Sequence, residues 1–305
     1  MNLLLDKGIA VRRVDKAVSG LSPGDFIVFS GKEAFLKDVA EQTGVDFKSL
    51  KSEMKKDTHK VKRQRIGMYQ RYWGGNMDEG WTRFLLEKFS FPYTSLKDIE
   101  IKKGDLDEKY DVIILPNDST GMIMGEIPPR YRRYLSEYPP EYRSGIGNEG
   151  VAALKEFVEK GGTVVALGEA CSFAIEKFAL NVRNALENIG TKEFFCPGST
   201  LKVTFDNIHP LAYGMPSDGL VLFRSNLAFE IIPSQHNDRY ETVVRYIDRD
   251  ILQSGWLIGE QHLANKAAMV SAIHGKGRVI LIGFRTQHRS QTHGTFKLLF
   301  NALMR

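Results

Sequence analysis

Several features of common protein classes are scarce in this chain, and each shortage excludes a class. The 305 residues contain two cysteines, Cys171 and Cys196, which lie 25 positions apart and outside any CxxC motif, so we expect no disulfide framework. No apolar run reaches about 18 residues, so we expect no membrane span. Residues 1–8 lack the long apolar core of a signal peptide. The localisation therefore stays unknown.

The positive charge of the chain is small and local. The formal net charge is +5, and seven Lys and Arg residues lie between Lys51 and Arg65. A nucleic-acid interface needs basic residues gathered on one face together with stacking aromatic residues. A solvated linker explains this stretch more simply. We therefore expect no nucleic-acid partner.

One stretch organises the rest of the sequence. Thr163–Leu167 is a short, apolar, β-branched run of the kind found in strands buried on both faces. A helix pattern precedes it at 151–160, and the chain then turns at Gly168 into a second helix pattern that begins at Cys171. In open α/β sheets, ligands bind at the carboxyl ends of such strands. Cys171 is therefore a candidate nucleophile that has to be weighed against a small buried residue.

The rest of the chain predicts an α/β fold. Residues 1–50 read as a small α/β segment, or the tail of a preceding domain, 51–64 as a basic linker, and 65–305 as one α/β domain. Strand patterns that alternate with helix patterns predict a mostly parallel sheet with helices on both faces. From Thr200, short alternating runs predict antiparallel strands that extend one edge of this sheet.

A long segment, 116–149, is predicted to be irregular and to form either a functional cover or a flexible insertion. Arginines and tyrosines alternate in it: Arg130, Tyr131, Arg132, Arg133, Tyr134, Tyr138, Tyr142 and Arg143. These side chains suit an anion or carboxylate site, and equally a surface that packs on a neighbouring domain, which we favour.

Eight strings of residues carry a resemblance to a known family: 76–83, 111–116, 145–147, 154–167, 195–199, 209–215, 254–257 and 283–303. Over them, the chain resembles the carboxy-terminal region of bacterial zinc-carboxypeptidase-like proteins, which has a class I glutamine amidotransferase-like fold. The resemblance implies a flavodoxin-like α/β domain. It also implies a carboxypeptidase-like domain as partner, or self-association, and a small-molecule or peptide ligand.

The metal site of such peptidases is not in this sequence. A zinc carboxypeptidase needs a His-x-x-Glu pair, a distant His and a further Glu that activates water. None of the seven histidines is followed by Glu at the third position. The glycines at 275 and 277 form no GxxxxGK[ST] phosphate loop, so we expect neither a metal nor a cofactor. The sequence thus predicts a non-catalytic accessory or ligand-binding domain associated with a zinc-carboxypeptidase-like protein.

The alternative is a cysteine-dependent amidase or glutaminase. In amidotransferases the nucleophilic cysteine sits at a crowded strand-to-helix elbow between small residues, and a histidine activates it. Here Glu169 and Phe173 flank Cys171 and are not small, and no His-x-Glu motif follows. His293 or His288 can serve as the base, although both also suit a loop that caps the last helix. We therefore favour an inert Cys171 and a chain that is not an enzyme.

Charged and amide side chains just beyond the predicted strands are expected to line a ligand-binding crevice at the carboxyl edge of the sheet. They are Asp78, Glu79, Arg83, Asn117, Asp118, Glu169 and Arg285. Asp78 and Glu79 also suit the first turn of a helix, where carboxylates complement the helix dipole, so both roles stay open.

Overall fold

The computed structural model describes residues 1–18, 20–29, 31–51, 54–126, 129–135 (the side chain of Leu135 excepted), 137–139, 142–143, 145–224, 227–233 and 240–304. The described strands are β1 (Val11–Val14), β2 (Phe26–Val28), β3 (Thr58–Lys60), β4 (Ile66–Tyr69), β5 (Tyr93–Leu96), β6 (Val112–Leu115), β7 (Thr163–Leu167), β8 (Val182–Asn184), β9 (Ser199–Phe205), β10 (Asp218–Phe223), β11 (Phe229–Ile231), β12 (Tyr240–Tyr246), β13 (Leu252–Ser254), β14 (Ala267–His274) and β15 (Gly277–Ile282). The described α-helices are α1 (Asn2–Asp6), α2 (Glu33–Thr43), α3 (Met77–Lys88), α4 (Asp98–Lys102), α5 (Leu106–Lys109), α6 (Thr120–Met124), α7 (Pro129–Leu135), α8 (Gly147–Glu159), α9 (Ala170–Lys177) and α10 (Phe296–Ala302).

Five parallel strands form one end of a twelve-stranded sheet, in the order β5-β4-β6-β7-β15, with β5 at the edge. Counted along the chain within this group, the order is 2-1-3-4-5, which is the flavodoxin-like doubly wound arrangement. The predicted fold class is therefore confirmed. The direction of winding reverses between β4 and β6, and the carboxyl ends of these two strands frame the place where such sheets bind ligands.

Helices cover both faces of the parallel strands. Along β7, Val165 and Leu167 pack in a core with side chains of α3 and α10. Val164 and Ala166 point to the other face and pack with side chains of α8 and α9. Because successive residues of a strand point to opposite faces, a strand covered on both sides must be apolar throughout. This explains the continuous apolar run that marks β7 in the sequence.

Antiparallel strands extend the sheet beyond β15, as predicted. β14 pairs with β15 through a tight hairpin in which His274 faces Gly277. β12, β9 and β10 follow outward in the same sheet. No helix in the described ranges is long and apolar enough to cross a lipid bilayer.

The N-terminal residues build a separate three-stranded sheet in the order β2-β1-β3. Arg13 on β1 is buried against the main body, where its guanidinium donates to Asn301 Oδ1 at 2.6 Å and stacks over the Tyr213 ring at 5.0 Å. Strand β3 lies inside the segment that was predicted to be a linker. The prediction was wrong about the secondary structure there, because pairing with β1 orders the middle of the stretch. The division into domains stays a prediction.

The segment 116–149 is also more regular than predicted. It contains α6 and α7, and α6 is capped at Ser119, whose hydroxyl accepts from the Met122 amide. Gly125 ends α6 with a φ of +90°, and Gly145 packs directly against it, so the intervening chain leaves and returns at one place. Residues 127–128, 136, 140–141 and 144 of this segment lie outside the described ranges.

Candidate functional site at the carboxyl edge of the sheet

The strand-to-helix elbow after β7 is formed by Gly168. Its φ is +56°, its amide donates to Ile282 O at 2.9 Å, and its carbonyl accepts from the Cys171 amide at 2.9 Å. In the nucleophile elbows of α/β-hydrolases, the residue at this strained turn carries the nucleophilic side chain. Here that residue is a glycine. Cys171 lies three positions later, inside α9.

Asn117 fills the space beside this elbow. A Cβ atom added to Gly168 would lie 2.1 Å from Asn117 Oδ1. The same oxygen accepts a hydrogen bond from the Glu169 amide at 2.9 Å, and the Asn117 carbonyl accepts from Asn76 Nδ2 at 3.2 Å. Backbone amides at such turns form oxyanion holes in acyl-transfer enzymes. In this protein the Glu169 amide already donates to Asn117 Oδ1.

The Cys171 side chain is fully buried. Its thiol donates to Ala166 O at 3.3 Å and contacts Ile282 O at 3.5 Å. Burial raises the pKa of the Cys171 thiol far above the neutral range, because the thiolate would lose its hydration. The reactive form of a cysteine is the thiolate, and burial of this thiol disfavours that form.

The structure does not bring Cys171 together with either candidate histidine. His293 packs on Phe296 of α10, with ring centroids 4.9 Å apart, on the face that α10 shares with α3. Cys171 belongs to the core on the opposite face of the sheet. His288 lies in the same loop as His293, and Gln287 fixes that loop to α3 by donating to Thr82 Oγ1 at 2.7 Å.

Several of the predicted crevice residues follow the carboxyl ends of the parallel strands, and their role in ligand binding stays a prediction. Asp118, just beyond β6, pairs with Arg71, just beyond β4, at 2.5 Å, and both side chains are about nine-tenths buried, with 9% and 11% exposure. Burial raises the pKa of Asp118, and the Arg71 charge opposes that shift. Asn76 Nδ2 donates to the same carboxylate at 3.3 Å. This ion pair spans the point where the strand order reverses.

A second ion pair continues the network towards β15. Arg285 donates to the Asp78 carboxylate from the loop after β15. Asp78 is in the first turn of α3, where Asn76 Oδ1 caps the helix by accepting from the amides of Asp78 and Glu79 at 2.9 and 3.2 Å. Asp78 therefore lies at the helix terminus and also pairs with Arg285, while its role in ligand binding stays a prediction.

Glu79 is buried, with 3% exposure, while Arg83 on the next turn lies 3.7 Å away and is 41% exposed. Desolvation raises the pKa of the Glu79 carboxyl, and Arg83 and Lys97 oppose this shift. The Oε1 atom has no hydrogen-bond partner within the described part of the chain. Trp81 on the same helix is 38% exposed and so is not a core residue.

Residues 130–143, in which arginines and tyrosines alternate, form the Arg/Tyr segment. Its aromatic side chains cover the loop after β4. The Tyr72 and Tyr142 rings meet edge to face at 5.3 Å, and those of Trp73 and Tyr131 meet at 5.3 Å. These tyrosines therefore pack within the same chain, over the strand-order reversal. Within the segment, Arg130 also makes a cation–π contact with Tyr131, and Arg133 makes one with Tyr134.

Arg71 and Asn76 were not among the site residues predicted from the sequence. Both had a detectable signal: Arg71 follows a predicted strand by two positions, and Asn76 is a preferred N-cap residue directly before a helix. What no pattern showed is that the two share Asp118 as a partner. No group of three or more His, Cys, Asp or Glu side chains suited to a metal ion occurs among the residues with described placement.

No protein-family model matches this sequence, and no curated protein does. Some solved structures have a similar fold. A protein from Bacteroides uniformis named as ThuA-like is 14% identical, with 83% of this chain and 94% of that chain covered and a TM-score of 0.45. A protein from Thermoplasma acidophilum named as part of a GMP synthase is 10% identical, with 79% and 92% covered and a TM-score of 0.45. A β-galactosidase from Bacillus circulans is 11% identical over 79% of this chain but 30% of its own, with a TM-score of 0.46. Similarity at this level gives the chain no function, ligand or partner.

The packing of Asn117 against the elbow can be tested by mutation. Gly168→Ala is expected to lower the free energy of unfolding by about 2–4 kcal/mol, because the new methyl group meets Asn117 and the turn disfavours a side chain. Asn117→Ala in the same chain should recover part of that loss. Gly190→Ala is the control, because nothing lies within 4 Å of its added Cβ. Urea unfolding measures all four proteins, and equal stability of Gly168→Ala and Gly190→Ala would contradict the packing described.

The Glu79 carboxyl predicts a pH dependence of stability. Because its pKa is raised in the folded protein, folding binds a proton that the unfolded chain has released, and stability falls as pH rises above 4.5, the ordinary value. Glu79→Gln should therefore lose less stability than the wild type between pH 4.5 and 7. Glu41→Gln removes a charge from an exposed helical position on α2 and is the matched control. If the stability of Glu79→Gln and that of the wild type change equally with pH, Glu79 is not the cause of the pH dependence.

Proposed function

We propose that this chain is a non-catalytic, amidotransferase-like accessory domain that binds a ligand or a protein partner. The observation that carries the proposal is the elbow: Gly168 stands where a nucleophile would be, and Asn117 occupies the adjoining space. Cys171 lies three residues later, inside α9, where its buried thiol donates to Ala166 O. A scaffold with these features keeps the shape of an active site without its reacting groups.

A binding role fits the polar network at the same edge. Two ion pairs, Arg71 with Asp118 and Asp78 with Arg285, hold the ends of β4, β6 and β15 together. They are partly screened from water and fixed by helix capping, so they form a rigid rim. In doubly wound sheets this rim is where ligands are recognised.

The partner that we propose is a zinc-carboxypeptidase-like protein, and this part rests on the residue strings alone. An exposed apolar row on α3 offers a surface for it: Met77, Trp81 and Phe84 are 82%, 38% and 48% exposed. They recur at helical spacing, and Trp81 and Phe84 contact each other edge to face. Contiguous exposed apolar side chains commonly mark protein interfaces.

Thiol chemistry tests the non-catalytic proposal against the cysteine-hydrolase alternative. Cys171 and Cys196 are both buried, so neither should react with a thiol reagent in the folded protein faster than the chain unfolds. Glutamine and peptide amides should release no ammonia above the level of Cys171→Ala. Cys196→Ala is the control for losing a buried thiol. Rapid native-state labelling of Cys171, or amidase activity that only Cys171→Ala abolishes, would establish the hydrolase instead.

The partner can be tested separately with an isolated zinc-carboxypeptidase domain. We expect saturable binding by calorimetry, weakened by Trp81→Lys at least tenfold, as for an anchor residue worth more than about 1.4 kcal/mol. Ile208→Lys alters an exposed apolar residue elsewhere and is the control. Sedimentation of the protein alone detects self-association. If Trp81→Lys binds as tightly as the wild type, the surface on α3 is not the interface. If the wild type does not bind, the proposed partner is wrong.

A further inference from the structure

Basic side chains gather where β10 and β15 end. The Arg285 amide donates to Leu222 O at 3.0 Å, which brings Arg224, two residues past Leu222, beside the loop that carries His288 and Arg289. Arg224 and Arg289 are exposed, and neither has a hydrogen bond or an ion pair with any residue that the structure describes. We call Arg224, Arg285, His288 and Arg289 the arginine–histidine cluster.

The charge of this cluster is not balanced. Arg285 pairs with Asp78 on α3. The pKa of His288 is lowered by its partial burial and then by the charges of Arg224, Arg285 and Arg289, while Asp78 opposes them. The positive charges of three arginines therefore disfavour protonation of His288. The carboxylate that opposes them, Asp78, is already paired with Arg285. An anion placed among them would meet a strongly favourable potential.

Buried donors without partners lie in the same loop. Arg285 Nε, Thr286 Oγ1 and Ser290 Oγ are buried and have no hydrogen-bond partner within the described ranges. Thr286 is 1% exposed and Ser290 8%. Buried polar atoms nearly always have a partner, and a group of them in six residues requires an explanation such as a bound ion or ligand.

The loop is also rigid and locally strained. The hydroxyls of Thr292 and Thr295 donate to Thr286 O at 2.8 and 2.9 Å. Arg289 and Ser290 have φ values of +50° and +53°, a conformation that side chains with a Cβ disfavour. The fold therefore holds Arg289 at an energetic cost, a pattern that is frequent at binding sites.

We propose that the arginine–histidine cluster is a binding site for a small oxyanion, namely a carboxylate or phosphate group of a ligand. Guanidinium groups bind both groups through paired hydrogen bonds, and the site is connected to the crevice through Asp78. This inference names the ligand chemistry of the proposed binding domain and so rests on that proposal. Its failure would leave the inert elbow untouched, because no thiol experiment depends on this loop.

Sulfate is the first probe, because its charge does not change over the range in which histidine titrates. We expect saturable changes in the His288 ring resonances on addition of sodium sulfate, beyond those from sodium chloride at equal ionic strength. Binding should strengthen as pH falls, because a bound anion favours protonated His288 against Arg224, Arg285 and Arg289. Inorganic phosphate and succinate, compared at fixed pH and ionic strength, decide between a tetrahedral anion and a carboxylate.

Variants of the exposed arginines locate the site. Arg224→Ala and Arg289→Ala should each weaken sulfate binding about fivefold, as expected for the loss of one exposed charge contact. Arg249→Ala, which removes an arginine that is 81% exposed, is the control for net charge. Arg289→Gly should weaken binding equally and unfold at no lower temperature, because glycine relieves the strained turn.

Three results would overturn the proposal: a sulfate response no larger than that of chloride, an equal loss in Arg249→Ala, or retained affinity in Arg289→Gly.

Discussion

The contact between Asn117 and Gly168 constrains the rest of this edge. β6 and β7 are adjacent parallel strands, so the residues just beyond them compete for one small volume. Asn117 takes that volume and bonds to the Glu169 amide, which is possible only because Gly168 has no side chain. The space beside this sharp turn is used for packing and for a hydrogen bond.

Other polar residues at this edge link elements that are distant in the sequence. Arg71 and Asp118 join the ends of β4 and β6. Asp78 and Arg285 join α3 to the loop after β15. Charges that are nearly buried must be paired, so these links fix the loops in one arrangement. The cations left over at the outer end of this network, Arg289 above all, have no anionic partner in the described ranges and lie where a charged ligand can reach them.

Much of the fold could be read from pattern. β6 and β7 were predictable because strands covered on both faces must be continuously apolar. The stretch around β3 was not predictable, because its strand exists only through pairing with β1, 40 and more positions earlier. The helices α6 and α7 were missed because each is at most seven residues long and flanked by glycine or proline, so periodicity had too few residues to show.

The sequence by itself determined the α/β class, the position of the elbow after β7 and the set of polar residues at the strand ends, since all three follow from local pattern. It also showed that Cys171 has bulky neighbours. Only the tertiary structure decided that Asn117 fills the space beside Gly168, and that Cys171 and His293 lie on opposite faces of the sheet. Those facts depend on which strands are neighbours, and strand neighbours are set by packing across the whole domain and not by residues close together in the chain.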